Sequence, residues 1–130
     1  MRELKELWVD IRDGEDALSV QIPLSGSSDA VLRVLAWNWY GRAGLLLAFD
    51  EACRWRDYLR RAAADLRISE KETFVLESDG LSLKTRYDNQ GDPYREGVSV
   101  ALVTGSGDVS VFVEQDQLAN LANQMAKMSS

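Results

Sequence analysis

Apolar and polar residues alternate near the start of the chain. Every second residue is apolar over 7–11, and after an acidic turn at 13–16 the alternation resumes over 18–24. A period of two places successive side chains on opposite faces of a strand. The pattern therefore predicts a β-hairpin with one buried face.

Two apolar runs of strand length follow, at 31–37 and 45–49. The segment 38–44 between them contains Gly41 and Gly44, and glycine readily adopts the backbone angles of a tight reversal. We therefore predict a second hairpin whose turn occupies 38–44.

Apolar residues then recur every three or four positions, which predicts an amphipathic helix. Its apolar positions are Ala52, Trp55, Leu59, Ala62 and Leu66. Asp50 and Glu51 stand at the start of this segment, where the helix dipole and the free backbone N–H groups favour negative charge.

The second half of the chain follows the same order. Its predicted strands cover 73–77, 81–87, 98–103 and 109–113, and the helix after them turns Leu118, Leu121, Ala122, Met125 and Met128 inward. An offset of 63 residues places Gly44 on Gly107 and Glu51 on Glu114. An internal duplication and a chance likeness between two hairpin–helix segments both explain this match.

The connections between predicted strands are too short for parallel crossovers, so the strands pair antiparallel. The predicted fold class is α+β: an antiparallel β-sheet of about seven to eight strands with two amphipathic helices that cover it. We expect a single domain over 1–130. A possible internal ββ(ββ)α duplication would divide it into half-repeats 1–67 and 68–130.

Composition narrows the chemistry that the chain can perform. It has 130 residues, no histidine and a single cysteine, Cys53. Without imidazole there is no Ser-His-Asp or Cys-His catalytic unit and no His-ligated zinc. The loop 88–92 is rich in oxygen ligands, but Ser99 stands where an EF-hand calcium loop needs glutamate. We expect a non-catalytic protein without a metal or a cofactor.

No apolar run approaches the roughly 20 residues that cross a bilayer, and the charged first residues do not form a signal peptide. One cysteine fits a reducing compartment. We therefore expect a cytoplasmic protein with no membrane partner.

The charge balance is acidic and uneven. Fifteen Lys and Arg against 21 Asp and Glu give a formal net charge of −6, and residues 68–130 carry 5 basic and 10 acidic groups. Phosphate binding needs a basic surface, so we expect no nucleic-acid partner. The balance favours a basic protein partner, or serves solubility alone.

The segment 37–42 concentrates aromatic residues beside Arg42. Aromatic residues and arginine are enriched in protein interfaces. Strand alternation predicts that Trp37 and Trp39 point into the core while Asn38 and Tyr40 point outward. An interface and an extension of the core both remain open for this segment.

Several segments in order resemble a known family. They are Asn38–Trp39 with the glycine-containing reversal after it, the strand end at 48–51, the helix with Trp55 and Leu59, and the later stretches 74–77, 81–83, 98–102 and 111–118. Over most of residues 17–128 the chain resembles the small bacterial immunity proteins related to the wall-associated toxin immunity family. The resemblance implies that the protein neutralises a cognate bacterial toxin by binding it, without catalysis.

If that toxin has a basic surface, an acidic face of the second half would attract it. The candidate rim of this partner-binding face consists of Asp79, Asp88, Asp92 and Glu96, with Trp39 or Tyr40 as an anchor.

Two other classes remain open. Exposed sheet edges could pair two copies of the chain, which would make it a small homodimeric ligand-binding or assembly module. A carboxylate hydrolase would need two acidic residues converging in one pocket.

Overall fold

The computed structural model describes residues 6–24, 31–78, 80–91 and 93–128. These residues form eight strands: β1 Glu6–Asp13, β2 Asp16–Pro23, β3 Val31–Asn38, β4 Gly41–Ala48, β5 Phe74–Ser78, β6 Leu81–Gln90, β7 Arg95–Thr104 and β8 Gly107–Glu114. They also form three helices: α1 Phe49–Ala64, α2 Leu66–Lys71 and α3 Gln115–Met125.

The strands make two antiparallel sheets of four, in the orders β1-β2-β3-β4 and β5-β6-β7-β8. Within each sheet, every strand pairs with its neighbours in sequence. The α+β class, the antiparallel pairing and the number of strands predicted from the sequence are confirmed. The prediction of one sheet is refined to two.

The first hairpin follows from the alternating pattern. Val9 lies opposite Val20 and Ile11 opposite Leu18, and these four side chains are buried on one face. The turn needs Gly14, whose φ of 62° lies in the left-handed region that glycine adopts without steric cost.

Helix α2 was not predicted, because the apolar spacing of the first helix continues to Leu66 and so gave no sign of a break. Helix α1 ends at Ala64, and Asp65 has the extended backbone of an N-cap, with its Oδ1 accepting a hydrogen bond of 3.0 Å from the Arg67 N–H. This break places Leu66 in the second helix, where it is still buried.

One hydrophobic core joins the two halves. Helices α1 and α3 contact each other, and their buried faces lie against the inner faces of the sheets. Trp55 is fully buried, and its Nε1–H donates a hydrogen bond of 3.0 Å to Oγ1 of buried Thr85 on β6. The first helix is thereby fixed to the second sheet.

Strand β8 also contacts β1, β2 and β3 of the first sheet. At one end Arg95 donates to Asp13 at 3.1 Å and to Glu114, and its guanidinium lies 5.2 Å from the centre of the Phe112 ring. Gln117 at the start of α3 donates at 3.2 Å to the Arg12 carbonyl. The turn between β1 and β2 is therefore tied to the second half.

The two halves share the element order ββββα, and the elements align at a different offset from the one the sequence suggested. Gly41 begins β4 and Gly107 begins β8, while Ala48 precedes α1 and Glu114 precedes α3, 66 positions apart in each case. The offset of 63 is wrong because Gly44 lies in the middle of β4. It therefore has no structural equivalence to Gly107.

Within the described part of the chain, no helix is long and apolar enough to cross a membrane.

Candidate functional site

The reversal between β3 and β4 is a two-residue turn formed by Trp39 and Tyr40. Asn38 lies opposite Gly41, and pairing continues along both strands. The predicted turn over 38–44 is therefore too long, because Gly41 and Gly44 belong to β4. The glycines suggested the reversal, but the turn itself contains the two aromatic residues.

Asn38 holds this turn from both sides. Its Oδ1 accepts a hydrogen bond of 2.9 Å from the Tyr40 N–H, which closes the turn on itself. Its Nδ2 donates at 3.2 Å to the Ser110 carbonyl on β8. The tip of the first sheet is thus positioned by the second sheet.

The side chains at the turn point differently from the prediction. Trp39 is 79% exposed and Tyr40 is 90% exposed. The prediction that Trp39 points into the core is wrong, because strand alternation ends where the turn begins. The prediction that Asn38 points outward is also wrong, since its amide reaches β8. The outward position of Tyr40 is confirmed.

Trp37 does not belong to the inner face either. It lies opposite Ala17 and Arg42, in register with the residues that point away from the helices, and it is half-buried. The tryptophan was predicted inward because its side of the strand was inferred from hydrophobicity alone. Trp37 instead adds apolar area to the outer face of the first sheet.

These side chains form one surface on β3 and β4 and the turn between them, which we call the aromatic face. It consists of Leu35, Trp37, Trp39, Tyr40, Arg42 and Leu46. Residues 35–44 line an open depression of about 920 Å³. Leu46 is 50% exposed, and no acidic residue lies on the outer face of β3 or β4 as described.

Of the predicted acidic rim, Glu96 already has partners within the protein. It accepts a hydrogen bond of 2.7 Å from the Tyr87 hydroxyl and another from Arg67 on α2. These two hydrogen bonds, with the nearby Arg67 charge, hold the pKa of Glu96 below its ordinary value. Hydrogen bonds with Tyr94 and Glu96 raise the pKa of Tyr87 to about 12.

The Asp88 side chain points to the opposite face of the second sheet from the Glu96 side chain. Asp88 pairs with Gly97, whereas Asn89 pairs with Glu96, so the two carboxylates point to opposite faces of the second sheet. Asp88 Oδ1 accepts a hydrogen bond of 2.8 Å from the Asn89 N–H. Asp79 and Asp92, the other two predicted rim residues, lie outside the described residues.

The structure also separates the aromatic anchor from these acidic groups. The hairpin tip meets β8 at Ser110, which pairs with Ala101 on β7. Glu96 lies five positions further along β7, about 16 Å away at the usual rise of a strand. Trp39 and Tyr40 therefore do not share one compact site with Asp88 or Glu96.

A second depression, of about 520 Å³, lies on the outer face of the second sheet. Lys84 and Arg86 project into its lining from β6, and Asp108 and the hydroxyls of Ser99 and Ser110 complete the polar part. Its charges are of both signs, and Val75, Ala101 and Val103 complete its lining, so no single ligand chemistry is favoured there.

Arg42 and Leu46 were not among the predicted site residues. Both are exposed on the outer face of β4, where they flank Gly44. The sequence did show that β4 is mostly apolar, since it contains one charged residue among eight. The sequence could not show that β4 is the last strand of its sheet, which is what exposes them.

No group of three or more acidic or cysteine side chains suited to a metal ion occurs among the described residues. Comparison with protein-family models finds no match, and comparison with curated proteins finds none either. The exposed aromatic face therefore supplies the argument about function.

Proposed function

We propose that this chain is a non-catalytic binding protein that neutralises a bacterial toxin domain by direct contact, and that the aromatic face makes the contact. The observation that carries the proposal is the exposure of Trp39 and Tyr40 on an anchored turn. The family resemblance of the sequence supplies the class of partner.

Anchoring is what distinguishes this turn from an ordinary surface loop. A binding surface costs less free energy to use when its side chains are already held in place. Asn38 fixes the turn through hydrogen bonds to Tyr40 and Ser110. Tryptophan and tyrosine bury a large area with few rotatable bonds, which is why they dominate binding energy in many interfaces.

The acidic net charge supports a partner of opposite charge. At −6 the chain attracts a basic toxin domain over distances comparable with the Debye length. Because Asp88 and Glu96 point to opposite faces, we assign this attraction to the charge of the whole second half. The aromatic face then supplies the short-range contact.

The test is co-expression of the full chain with the toxin domain encoded beside its gene. The wild-type chain should restore growth, and the double variant Trp39→Ala/Tyr40→Ala should lose protection. Its affinity for a catalytically inactive toxin domain should fall by roughly 30-fold or more, since two interface anchors are removed. Binding is measured by isothermal titration calorimetry.

Trp8→Ala provides the matched control, because Trp8 is also an exposed tryptophan of the first sheet, at 46% exposure on β1. It should retain both protection and affinity. Failure of the wild-type chain to restore growth would refute the immunity function. Full protection by the double variant would instead refute the assignment to the aromatic face.

A further inference from the structure

Each sheet has two edge strands, and three of these four edges have features that hinder pairing with another strand. Unpaired edges invite association, so proteins protect them with charges, short length or covering elements. Strand β1 carries four charged residues in eight, β5 is five residues long, and β8 is covered by contacts with the first sheet.

The fourth edge, β4, is neither short nor rich in charges. Its sequence from Gly41 to Ala48 contains one charge, at Arg42, and no proline. Gly44, Leu46 and Ala48 are exposed, although β4 also contacts β7 and β8 of the second sheet, and Gly41 lies near Val109. A long apolar edge of this kind is a surface for strand addition.

The register shows which backbone groups of β4 face outward. Asn38 and Gly41 close a two-residue hairpin, so Gly41 and then every second residue bond to β3. The N–H and C=O groups of Arg42, Gly44 and Leu46 therefore point away from the sheet. Within the described chain, no hydrogen bond outside the regular elements reaches them.

Two hydrogen bonds support this assignment. Ala48 lies next in the same outward series, and its N–H donates at 3.0 Å to Oε1 of Glu51 rather than to β3. Ser110 holds in β8 the place that Gly44 holds in β4, and its carbonyl accepts from Asn38. One outward carbonyl of β8 thus has a partner from the first sheet, whereas no such bond to Arg42, Gly44 or Leu46 occurs among the described residues.

We propose that a second copy of this chain pairs with β4 along its exposed edge. The two β4 strands run antiparallel about a two-fold axis at Gly44. The first sheet of one copy and the first sheet of the other then form one continuous sheet of eight strands. In this register Arg42 lies opposite Leu46 of the partner subunit. All three residues with outward groups are then paired, in a closed, isologous interface.

The pattern of side chains favours a second copy as the occupant. Like charges directly opposite each other destabilise a strand pair, and this register places no charge opposite a like charge. Each arginine instead packs its methylene groups against a leucine. Trp39 and Tyr40 lie beyond the paired segment, so this inference does not rest on the proposed toxin contact.

The test measures the mass of the full chain over a concentration series by native mass spectrometry and by light scattering after size exclusion. The wild-type chain should form dimers. Leu46→Lys places a lysine opposite Arg42 of the partner subunit twice per dimer and should raise the dimer Kd by about tenfold or more. Leu46→Glu places a carboxylate there and should preserve the dimer.

Val75→Lys is the control, because Val75 is an exposed apolar residue of the edge strand β5, and it should leave the dimer Kd unchanged. Circular dichroism verifies that each variant is folded. A wild-type chain that is monomeric throughout overturns the proposal. A dimer that tolerates Leu46→Lys overturns the β4 interface, and equal loss in Leu46→Glu overturns the register.

Discussion

At the scale of single residues, Thr85 shows how one polar side chain can organise a core. It is fully buried on β6, where its neighbours on the inner face are apolar. Its hydroxyl accepts the hydrogen bond of the Trp55 indole, so a buried donor and a buried acceptor satisfy each other. The pair fixes the position of α1 over the second sheet.

Replacing Thr85 with valine keeps the side-chain shape and removes the acceptor. We expect the free energy of unfolding to fall by about 1–3 kcal/mol, because the Trp55 N–H would be buried without a partner. Urea denaturation followed by circular dichroism measures the change. In a Trp55→Phe background the same substitution should cost about 1 kcal/mol less, and an equal cost in both backgrounds would contradict the assigned bond.

Single residues also show which parts of the candidate site could be predicted from the sequence. The alternation correctly predicted that Leu18, Val20 and Ile22 are buried on β2. It failed at Trp39, because a turn ends the period of two and hydrophobicity alone favours burial. The ion pair of Glu96 could not be read from local sequence, because its partner Arg67 lies 29 residues away on a helix that was not predicted.

At the scale of elements, both long helices begin in the same way. Oε1 of Glu51 accepts from the Ala48 N–H, and Oε1 of Gln117 accepts from the Glu114 N–H, each at 3.0 Å. Each bond satisfies one backbone donor at the junction of a strand and a helix. Gln117 differs in that its Nε2 also donates to the Arg12 carbonyl.

We therefore expect the matched substitutions to differ in cost. Glu51→Ala should lower the free energy of unfolding by about 0.5–1 kcal/mol through loss of the cap. Gln117→Ala should cost more, because the link to Arg12 is lost as well. Chemical denaturation measures both, and Gln117→Glu, which retains only the cap, should fall between Gln117→Ala and the wild type. Equal losses for the two alanine variants would contradict a structural role for the link.

The elements explain how far the fold could be predicted. Strands and long helices follow from periods of two and of three to four residues, which local sequence contains. The division into two sheets does not, because it depends on β4 continuing into α1 and leaving its edge unpaired. For the same reason the sequence did not predict that Arg42 and Leu46 are exposed, because their exposure depends on the position of β4 at the edge of its sheet.

At the scale of the whole molecule, ion pairs join elements that are distant in sequence. Glu72 lies 2.9 Å from Arg61 of α1, and Glu96 of β7 pairs with Arg67 of α2. Hydrogen bonds, from Arg61 to Glu72 and from Tyr87 and Arg67 to Glu96, hold the pKa of each carboxyl below its ordinary value of 4.5. The first contact ties α1 to the C-cap of α2, and the second ties α2 to β7 of the second sheet.

The lowered pKa values predict how stability depends on pH. A carboxyl whose pKa is lower in the folded state stabilises that state above its unfolded pKa, and the contribution is lost as pH falls through the folded pKa. The free energy of unfolding should therefore decrease on acidification between about pH 5 and about pH 3, and these two carboxyls should leave it unchanged between about pH 7 and about pH 5. Urea denaturation across this range measures the slope.

Glu96→Gln should make that slope smaller, because the amide does not titrate. Arg67→Gln should reduce it too, and the two changes together should not add, since they remove the same pair. A slope unchanged by either variant would show that Glu96 contributes nothing to the acid response.

The bond from Asn38 to Ser110 also sets an order of events during synthesis of the chain. Both sheets are meanders, so their hairpins close over short stretches and form early. The bond between Asn38 and Ser110 spans 72 residues, and that between Arg12 and Gln117 spans 105. The aromatic turn therefore gains its anchor only after β8 has left the ribosome. The aromatic face belongs to the first half of the chain, but its turn is anchored only when the second half has been synthesised.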